Sequence, residues 1–120
     1  SRQDRMIFNA KGEQTMFMFY SPDCPYCKKV MEKLINYQGK YKIIVKFMVP
    51  PDLMDSSKKE FSEWLQKQKN ISKEEAEKLA IKLIQEDFNE GIQIGILGVP
   101  MFFDEKGKFY PMIPDINNKE

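Results

Sequence analysis

The chain of 120 residues contains no histidine. Histidine is the usual general base near neutral pH and a common metal ligand, so its absence excludes Ser-His-Asp and Cys-His catalysis. Long apolar runs are also missing, since no segment of the sequence approaches the roughly 18 apolar residues of a membrane helix. Acidic and basic side chains nearly cancel, 18 against 19. We therefore expect no nucleic-acid partner and no stable membrane insertion.

What is present is typical of a globular protein. Hydrophobic residues make up 42% of the chain and charged residues 31%, an ordinary balance for a single domain with a buried core. The length predicts one domain spanning residues 1–120. The polar start at residues 1–5 has no signal-peptide core, so we expect a mature chain or a piece of a longer one.

Cysteine is scarce, and both cysteines lie in the tetrapeptide 24-CPYC-27. An apolar run precedes them and helical periodicity follows. Pro25 suits the first position of a helix, where its missing N–H is not needed. The Cys24 sulfur would then lie at the helix N-terminus, where unpaired N–H groups and the helix dipole favour thiolate over thiol. Cys27 follows one turn later, within bonding distance.

This arrangement predicts a redox dithiol. Lys28 adds positive charge near the pair, while Asp23 works against it. In the predicted mechanism Cys24 attacks a substrate disulfide as thiolate, and Cys27 resolves the mixed disulfide that forms. Such an exchange needs no cofactor.

Three other functions are compatible with a Cys-x-x-Cys pair. A zinc site needs about four ligands, and this chain has neither further cysteine nor histidine to complete one. Thiolate together with some of the eight methionines could bind Cu(I). A purely structural disulfide would gain little from closing so short a loop. The position between a strand and a helix favours the redox dithiol.

Hydrophobic periodicity predicts the element order β-β-α-β-(αα)-β-β. From this order we expect an α/β fold with a mixed four- to five-stranded sheet flanked by helices, and a helical insertion at about residues 52–97. The predicted segments are strands at 5–8, 15–20 and 43–49, a helix from Pro25 toward Gly39, helices at 55–69 and from Ser72, and a hairpin around the turn 104–107. The second helix of the insertion either frays near residues 89–91 or runs on. The tail at residues 117–120 is polar and expected to be loose.

The tetrapeptide at a strand-to-helix turn, together with 98-GVP-100 before a later strand, resembles the thioredoxin superfamily. The resemblance implies a thioredoxin-like fold in which Pro100 is cis and faces the dithiol. It also implies that the Val99 backbone offers an edge to an extended substrate. Tyr26, between the cysteines, either stacks on the substrate or merely covers the site.

Within that superfamily the sequence is most similar to the catalytic domain of the bacterial periplasmic disulfide isomerases of the DsbC/DsbG family. The similarity includes 15-TMFMFYSPDCPYCKK-29, 91-GIQIGILGVP-100 and 108-KFYPMIPD-115. It implies a thiol–disulfide oxidoreductase or isomerase in an extracytoplasmic compartment. Its partners would be protein thiols and disulfides, with a redox partner protein that the sequence does not identify.

Several departures from that family keep other functions open. The family's N-terminal dimerisation domain does not occur in these residues, and Val99 stands where the family usually has threonine. Met18 occupies the strand position where thioredoxin and DsbA have a buried acid. A monomeric DsbA-like oxidase and a thioredoxin-like reductase are therefore alternatives. An alternative of another class is a binding module or copper chaperone on the same scaffold.

Overall fold

The computed structural model describes residues 4–116, so the tail predicted at residues 117–120 lies outside the described residues. A short 3-10 turn, Pro51–Leu53, follows β3. The strands and helices are β1 (Ile7–Phe8), β2 (Gln14–Tyr20), α1 (Pro25–Leu34), β3 (Tyr41–Phe47), α2 (Asp55–Lys69), α3 (Lys73–Ile94), β4 (Met101–Asp104) and β5 (Phe109–Tyr110).

The strands form one mixed sheet of five strands in the order β1-β3-β2-β4-β5. The central pair, β2 and β3, is parallel, and α1 connects the two strands. The other pairs are antiparallel, and β4 with β5 forms the predicted hairpin. This confirms the predicted α/β fold. The side chains of β2 are buried or half-buried on both faces of the sheet from Thr15 onward, which explains why its apolar run is almost continuous.

The helical segment between β3 and β4 contacts both faces of the sheet. Lys46 and Phe47 are neighbours on β3, so their side chains point to opposite faces. The Phe47 ring stacks on Phe61 of α2, with 4.8 Å between ring centroids. On the other face Lys46 pairs with Glu90 of α3. The turns between these elements thus carry the chain around one edge of the sheet.

The predicted start of α3 is confirmed, and its end is settled in favour of the longer alternative. Ser72 and Glu75 form a reciprocal capping box, since each side chain bonds the other residue's backbone N–H. The helix runs on to Ile94 and stops at Gly95, whose positive φ of 86° suits glycine.

The predicted end of α1 near Gly39 is wrong, because the helix stops at Leu34. The reason is a set of contacts that pulls the chain away from the helix axis. The Tyr37 hydroxyl donates to Asp115 at 2.5 Å and accepts the Tyr41 N–H. The Lys40 N–H also donates to Asp115, at 2.9 Å. Burial alone would raise the pKa of Asp115, but these hydrogen bonds hold that pKa below its usual value. The segment after β5 is thereby fastened beside the start of β3.

Candidate active site

The turn between β2 and α1 places the first cysteine at the helix N-terminus. The Ser21 hydroxyl accepts the Asp23 N–H at 3.2 Å, and the Ser21 carbonyl accepts the Cys24 N–H at 3.2 Å. Cys24 is the N-cap residue with extended backbone angles, and Pro25 is the first residue of α1, as the sequence predicted. The short turn therefore ends the strand and starts the helix at the dithiol.

The two cysteines lie together in the reduced form. The Cys27 N–H donates to the Cys24 sulfur at 3.1 Å, so the sulfur itself caps the helix. The Cys24 thiol also lies 3.7 Å from the Val99 carbonyl oxygen, to which it donates. The Cys24 sulfur thus lies between the N-terminus of α1 and the backbone of the loop before β4.

Burial separates the roles of the two sulfurs. Cys27 has no exposed surface, whereas Cys24 is partly exposed. Burial and the neighbouring Cys24 raise the pKa of Cys27 to about 12, against backbone hydrogen bonds that lower it. At neutral pH Cys27 is therefore a neutral thiol beneath a sulfur that a substrate can reach.

The loop before β4 brings Val99, one of the predicted substrate-binding residues, to the dithiol. The Val99–Pro100 peptide bond is cis, and both residues are half-buried. Tyr26, on the first turn of α1, is 53% exposed. Leu97, two residues before Val99, is 97% exposed and was not predicted. Exposed apolar side chains therefore lie two residues after Cys24 on the helix and two residues before Val99 on the loop.

The remaining predicted residues lie where the sequence placed them, but Lys28 has a partner that the sequence did not suggest. Asp23 is exposed at the turn. The Lys28 ammonium group lies 3.5 Å from the Glu60 carboxylate of α2. Lys28 therefore forms an ion pair with an acid from the helical insertion.

Two further residues at the site were missed from the sequence. The fully buried Tyr20, at the end of β2, donates from its hydroxyl to Glu60 at 2.8 Å. Burial raises the pKa of the Tyr20 hydroxyl, and the hydrogen bond to Glu60 and, to a smaller extent, the two cysteines raise it further. A tyrosine closing an apolar strand is a weak signal for a polar contact. Nothing in the local sequence around Glu60 points to the dithiol, because 40 residues separate it from Tyr20.

Among residues 4–116, no group of three or more histidine, cysteine, aspartate or glutamate side chains is placed to hold a metal ion. No helix in the described part of the chain has the length and apolar character needed to cross a bilayer.

A cleft of about 440 Å³ lies away from the dithiol. Its walls include Phe17, Phe19 and Phe103 from the sheet and Lys46 and Glu90 beside them. Phe17 and Phe19 alternate along β2 with the buried Met18 and Tyr20, so the cleft opens on the sheet face opposite those residues. The chemistry of the cysteines is on the other side.

Three solved structures illustrate proteins with the same fold. The catalytic domain of Proteus mirabilis ScsC matches with a TM-score of 0.68 at 18% identity, covering 94% of this chain and 83% of that one. A thioredoxin-like oxidoreductase from Silicibacter pomeroyi DSS-3 matches with a TM-score of 0.65 at 12% identity, over 92% and 85% of the two chains. A disulfide interchange protein from Neisseria gonorrhoeae matches with a TM-score of 0.62 at 17% identity, over 97% and 92%.

No curated protein sequence matches the chain significantly. The family model of the thioredoxin-like domain matches residues 2–115, nearly the whole chain. This match includes the dithiol, the helical segment and the Val99–Pro100 loop. The chain therefore belongs to the thioredoxin-like domain family.

Proposed function

We propose that this protein is a thiol–disulfide oxidoreductase that acts on protein disulfides through Cys24 and Cys27, without a cofactor. The observation that carries the proposal is the difference between the two sulfurs. Cys24 is partly exposed at the start of α1, and Cys27 is fully buried behind it. That asymmetry suits an attacking thiol and a resolving thiol.

The exchange proceeds in two displacements. The Cys24 thiolate attacks one sulfur of the substrate disulfide, forming a mixed disulfide and releasing the other substrate sulfur as thiolate. Cys27 then loses its proton and attacks the Cys24 sulfur, which breaks the bond to the substrate. The substrate disulfide has gained two electrons and the protein has become a disulfide. The reverse sequence oxidises a substrate dithiol, and a redox partner protein returns the chain to its starting state.

The loop before β4 supports an extended polypeptide as the substrate. The Val99 carbonyl faces Cys24, and the following residue, Pro100, has no N–H to compete for hydrogen bonds. Val99 can therefore pair with a substrate strand beside the sulfur. The exposed side chains of Tyr26, two residues after Cys24, and of Leu97, two residues before Val99, are available for apolar contact with that strand.

We propose that the protein works in an oxidising, extracytoplasmic compartment and is an isomerase of the DsbC/DsbG type. Confinement of both cysteines to the dithiol supports the oxidising compartment, because further thiols would form unwanted disulfides there. The reduction potential separates this type from its alternatives. A value near about −120 mV suits donation or isomerisation of disulfides, and a value near about −270 mV suits a reductase.

A trapping experiment tests the function. The Cys27→Ser variant should accumulate a mixed disulfide on Cys24 with a disulfide-bonded peptide, seen as a mass increase that reductant removes. The Cys24→Ser variant is the matched control, because serine keeps the helix cap. It should form no adduct and show no turnover of the peptide with glutathione. A mixed disulfide on Cys27 in the Cys24→Ser variant, or turnover of the peptide by that variant, would contradict the assignment. Stoichiometric binding without turnover in the parent chain would favour a binding module instead.

A further inference from the structure

The end of α3 and the loop that follows it expose three large apolar side chains. Ile92 and Ile94 are 56% and 51% exposed, and Leu97 is 97% exposed. Ile96, between them, is buried, and its N–H donates to the Gly91 carbonyl at 2.8 Å. Single exposed apolar side chains are common on proteins. A group of them within one short segment, anchored by a buried neighbour, forms a surface suited to an apolar partner.

Ile94 also forms one wall of the cleft on the sheet face opposite the dithiol. From the floor of this cleft a row of aromatic rings extends to the edge of the sheet. Phe19 meets Phe103 edge-on with 6.2 Å between ring centroids, and Phe103 lies 5.8 Å from Phe109. Phe109 is 47% exposed. The cleft is therefore accessible along an apolar surface that includes Ile94 and reaches β5.

The buried charge at the floor of the cleft is already paired. The Lys46 ammonium group forms an ion pair with the Glu90 carboxylate and lies 5.7 Å from the centroid of the Phe17 ring. Only 5% of the Lys46 side chain is exposed. Its charge is thus neutralised within the protein and does not select an anionic ligand. The aromatic walls suit an aromatic or large aliphatic side chain instead.

The loop connects this cleft with the dithiol over a short distance. Ile94 and Val99 are five positions apart, so at most about 18 Å of chain separates them. At the other end of the loop, the Val99 carbonyl oxygen lies 3.7 Å from the Cys24 sulfur. An extended substrate advances about 3.3 Å for each residue. A substrate strand that pairs with Val99 and follows the loop therefore reaches Ile94 about five or six residues from its cysteine.

We propose that the cleft beside Ile94 is a second contact site for the substrate polypeptide, connected to the dithiol by the loop that contains Leu97. The substrate class is an extended segment with an aromatic or large aliphatic side chain about five or six residues from the reacting cysteine. Leu97 contacts a side chain nearer to that cysteine. The inference rests on the oxidoreductase function proposed above and adds a sequence preference to it.

Peptides with an activated cysteine test this preference. Each peptide is a Gly-Ser chain whose single cysteine forms a mixed disulfide with thionitrobenzoate. The Cys24 thiolate attacks the peptide sulfur, forms a disulfide with the peptide and releases thionitrobenzoate with the electron pair of the broken bond. Cys27 then displaces the peptide as thiolate. Stopped-flow absorbance of the released thionitrobenzoate, at increasing peptide concentration, gives a half-saturation concentration and a maximal rate.

Phenylalanine about six residues from the cysteine should lower the half-saturation concentration about tenfold relative to serine at the same position, because the aromatic side chain leaves water in the cleft. The maximal rate should stay within about twofold, since the cleft is remote from the reacting sulfurs. Two sets of peptides place the phenylalanine on the amino-terminal or the carboxy-terminal side of the cysteine. Only one set should show the preference, because the cleft lies in one direction from Val99.

Ile94→Ser and Phe109→Ser should each reduce the ratio of half-saturation concentrations between the serine and phenylalanine peptides by at least about threefold. Both side chains are partly exposed, and thermal unfolding checks that the variants are folded. Ile35→Ser is the matched control, since Ile35 is 70% exposed at the end of α1. This variant should leave the ratio unchanged.

Equal half-saturation concentrations for all peptides would overturn the inference, as would the same loss of the ratio in Ile35→Ser and Ile94→Ser. A preference confined to phenylalanine two residues from the cysteine would place the contact at Leu97 alone and exclude the cleft. A parent chain that releases no thionitrobenzoate from any peptide would instead contradict the proposed function.

Discussion

Two buried centres of the molecule differ in how many partners their polar groups have. At the edge of β3, Arg5 donates to both oxygens of Asp87 at 2.7–3.1 Å, and the Phe47 N–H donates to the same carboxylate at 3.0 Å. At the dithiol, Cys27 is equally buried, but its main interactions are with Cys24 and backbone groups. The centre of Arg5 and Asp87 is held by an ion pair and several hydrogen bonds, whereas the centre at Cys27 contains a neutral thiol.

The number of partners affects whether a buried group can change its protonation state. Burial raises the pKa of Asp87, and the Arg5 guanidinium and the Phe47 N–H oppose that rise. The carboxylate also satisfies the Phe47 N–H, which lies beyond the end of the ladder between β1 and β3. A group so fully paired is held in one state. In the proposed exchange Cys27 has to lose its proton, which full pairing would prevent.

The largest expected effect on stability comes from breaking the paired centre. Asp87→Asn removes the buried counter-ion of Arg5, and we expect it to lower the free energy of unfolding by about 3–5 kcal/mol. Exchange activity per folded molecule should be unchanged. Chemical denaturation measures the first quantity. Glu86→Gln, which removes the exposed partner of Arg5 at 3.8 Å, is the control and should change stability by less than about 1 kcal/mol. A similar loss in both variants would contradict the comparison.

The pH dependence of stability sharpens the comparison at the other centre. The pKa of Cys27 is raised from 9.0 to about 12 in the folded, reduced protein. The folded state therefore keeps a proton that the unfolded state loses above pH 9. Its contribution is complete below pH 9 and is lost between pH 9 and 12, by up to about 1.4 kcal/mol for each pH unit.

Other groups titrate in that range, so the difference between the parent and Cys27→Ala isolates the thiol. Urea denaturation of both reduced proteins should give a constant difference in free energy up to about pH 9. Above that pH the parent should lose stability faster than the variant. A difference that stays constant to pH 10.5 would show that Cys27 is not held as a thiol.

Replacing both members of the ion pair should cost less than replacing one. Arg5→Met combined with Asp87→Leu removes both buried charges, and such exchanges are often neutral or stabilising. The Phe47 N–H then loses its acceptor, so we expect a net loss of about 1–3 kcal/mol, below that of Asp87→Asn. A double variant less stable than Asp87→Asn would mean that the interaction between Arg5 and Asp87 contributes more to stability than the burial of the two charges costs.

The smallest expected effect concerns a hydrogen bond at the edge of the molecule. Tyr37→Phe removes the donor to Asp115 and the acceptor of the Tyr41 N–H. We expect a loss of about 1–2 kcal/mol in thermal or chemical denaturation and no change in thiol exchange. Tyr110→Phe, which removes the more exposed contact to Asp104 at 3.1 Å, should cost less. Loss of exchange activity in Tyr37→Phe would tie this edge to the dithiol.

How far the sequence predicts this molecule depends on the distance over which each feature is encoded. The dithiol, Pro25 at the helix start, α2 and the capping box of α3 follow from residues within one or two turns of each other, and each lies where predicted. The position of Cys24 relative to Cys27 is encoded in the same way, by four consecutive residues.

Contacts between distant segments were beyond such prediction. Arg5 and Asp87 are 82 positions apart, and Tyr20 and Glu60 are 40 apart. Each of these residues looks like an ordinary surface or strand residue until the sheet brings the partners together. The early end of α1 has the same origin, because Asp115 holds Tyr37 from the far end of the chain.

In the proposed mechanism Cys24 attacks first and Cys27 remains a buried thiol until the second step. Competitive alkylation of the two thiols tests this difference. A thiol with a pKa of about 12 has about one thiolate in 10⁵ molecules at pH 7, against about 3% for an ordinary cysteine. Limited iodoacetamide treatment of the reduced protein, read by mass spectrometry of the separated peptides, should modify Cys24 at least about a hundredfold faster than Cys27. Equal rates, or faster modification of Cys27, would contradict the account.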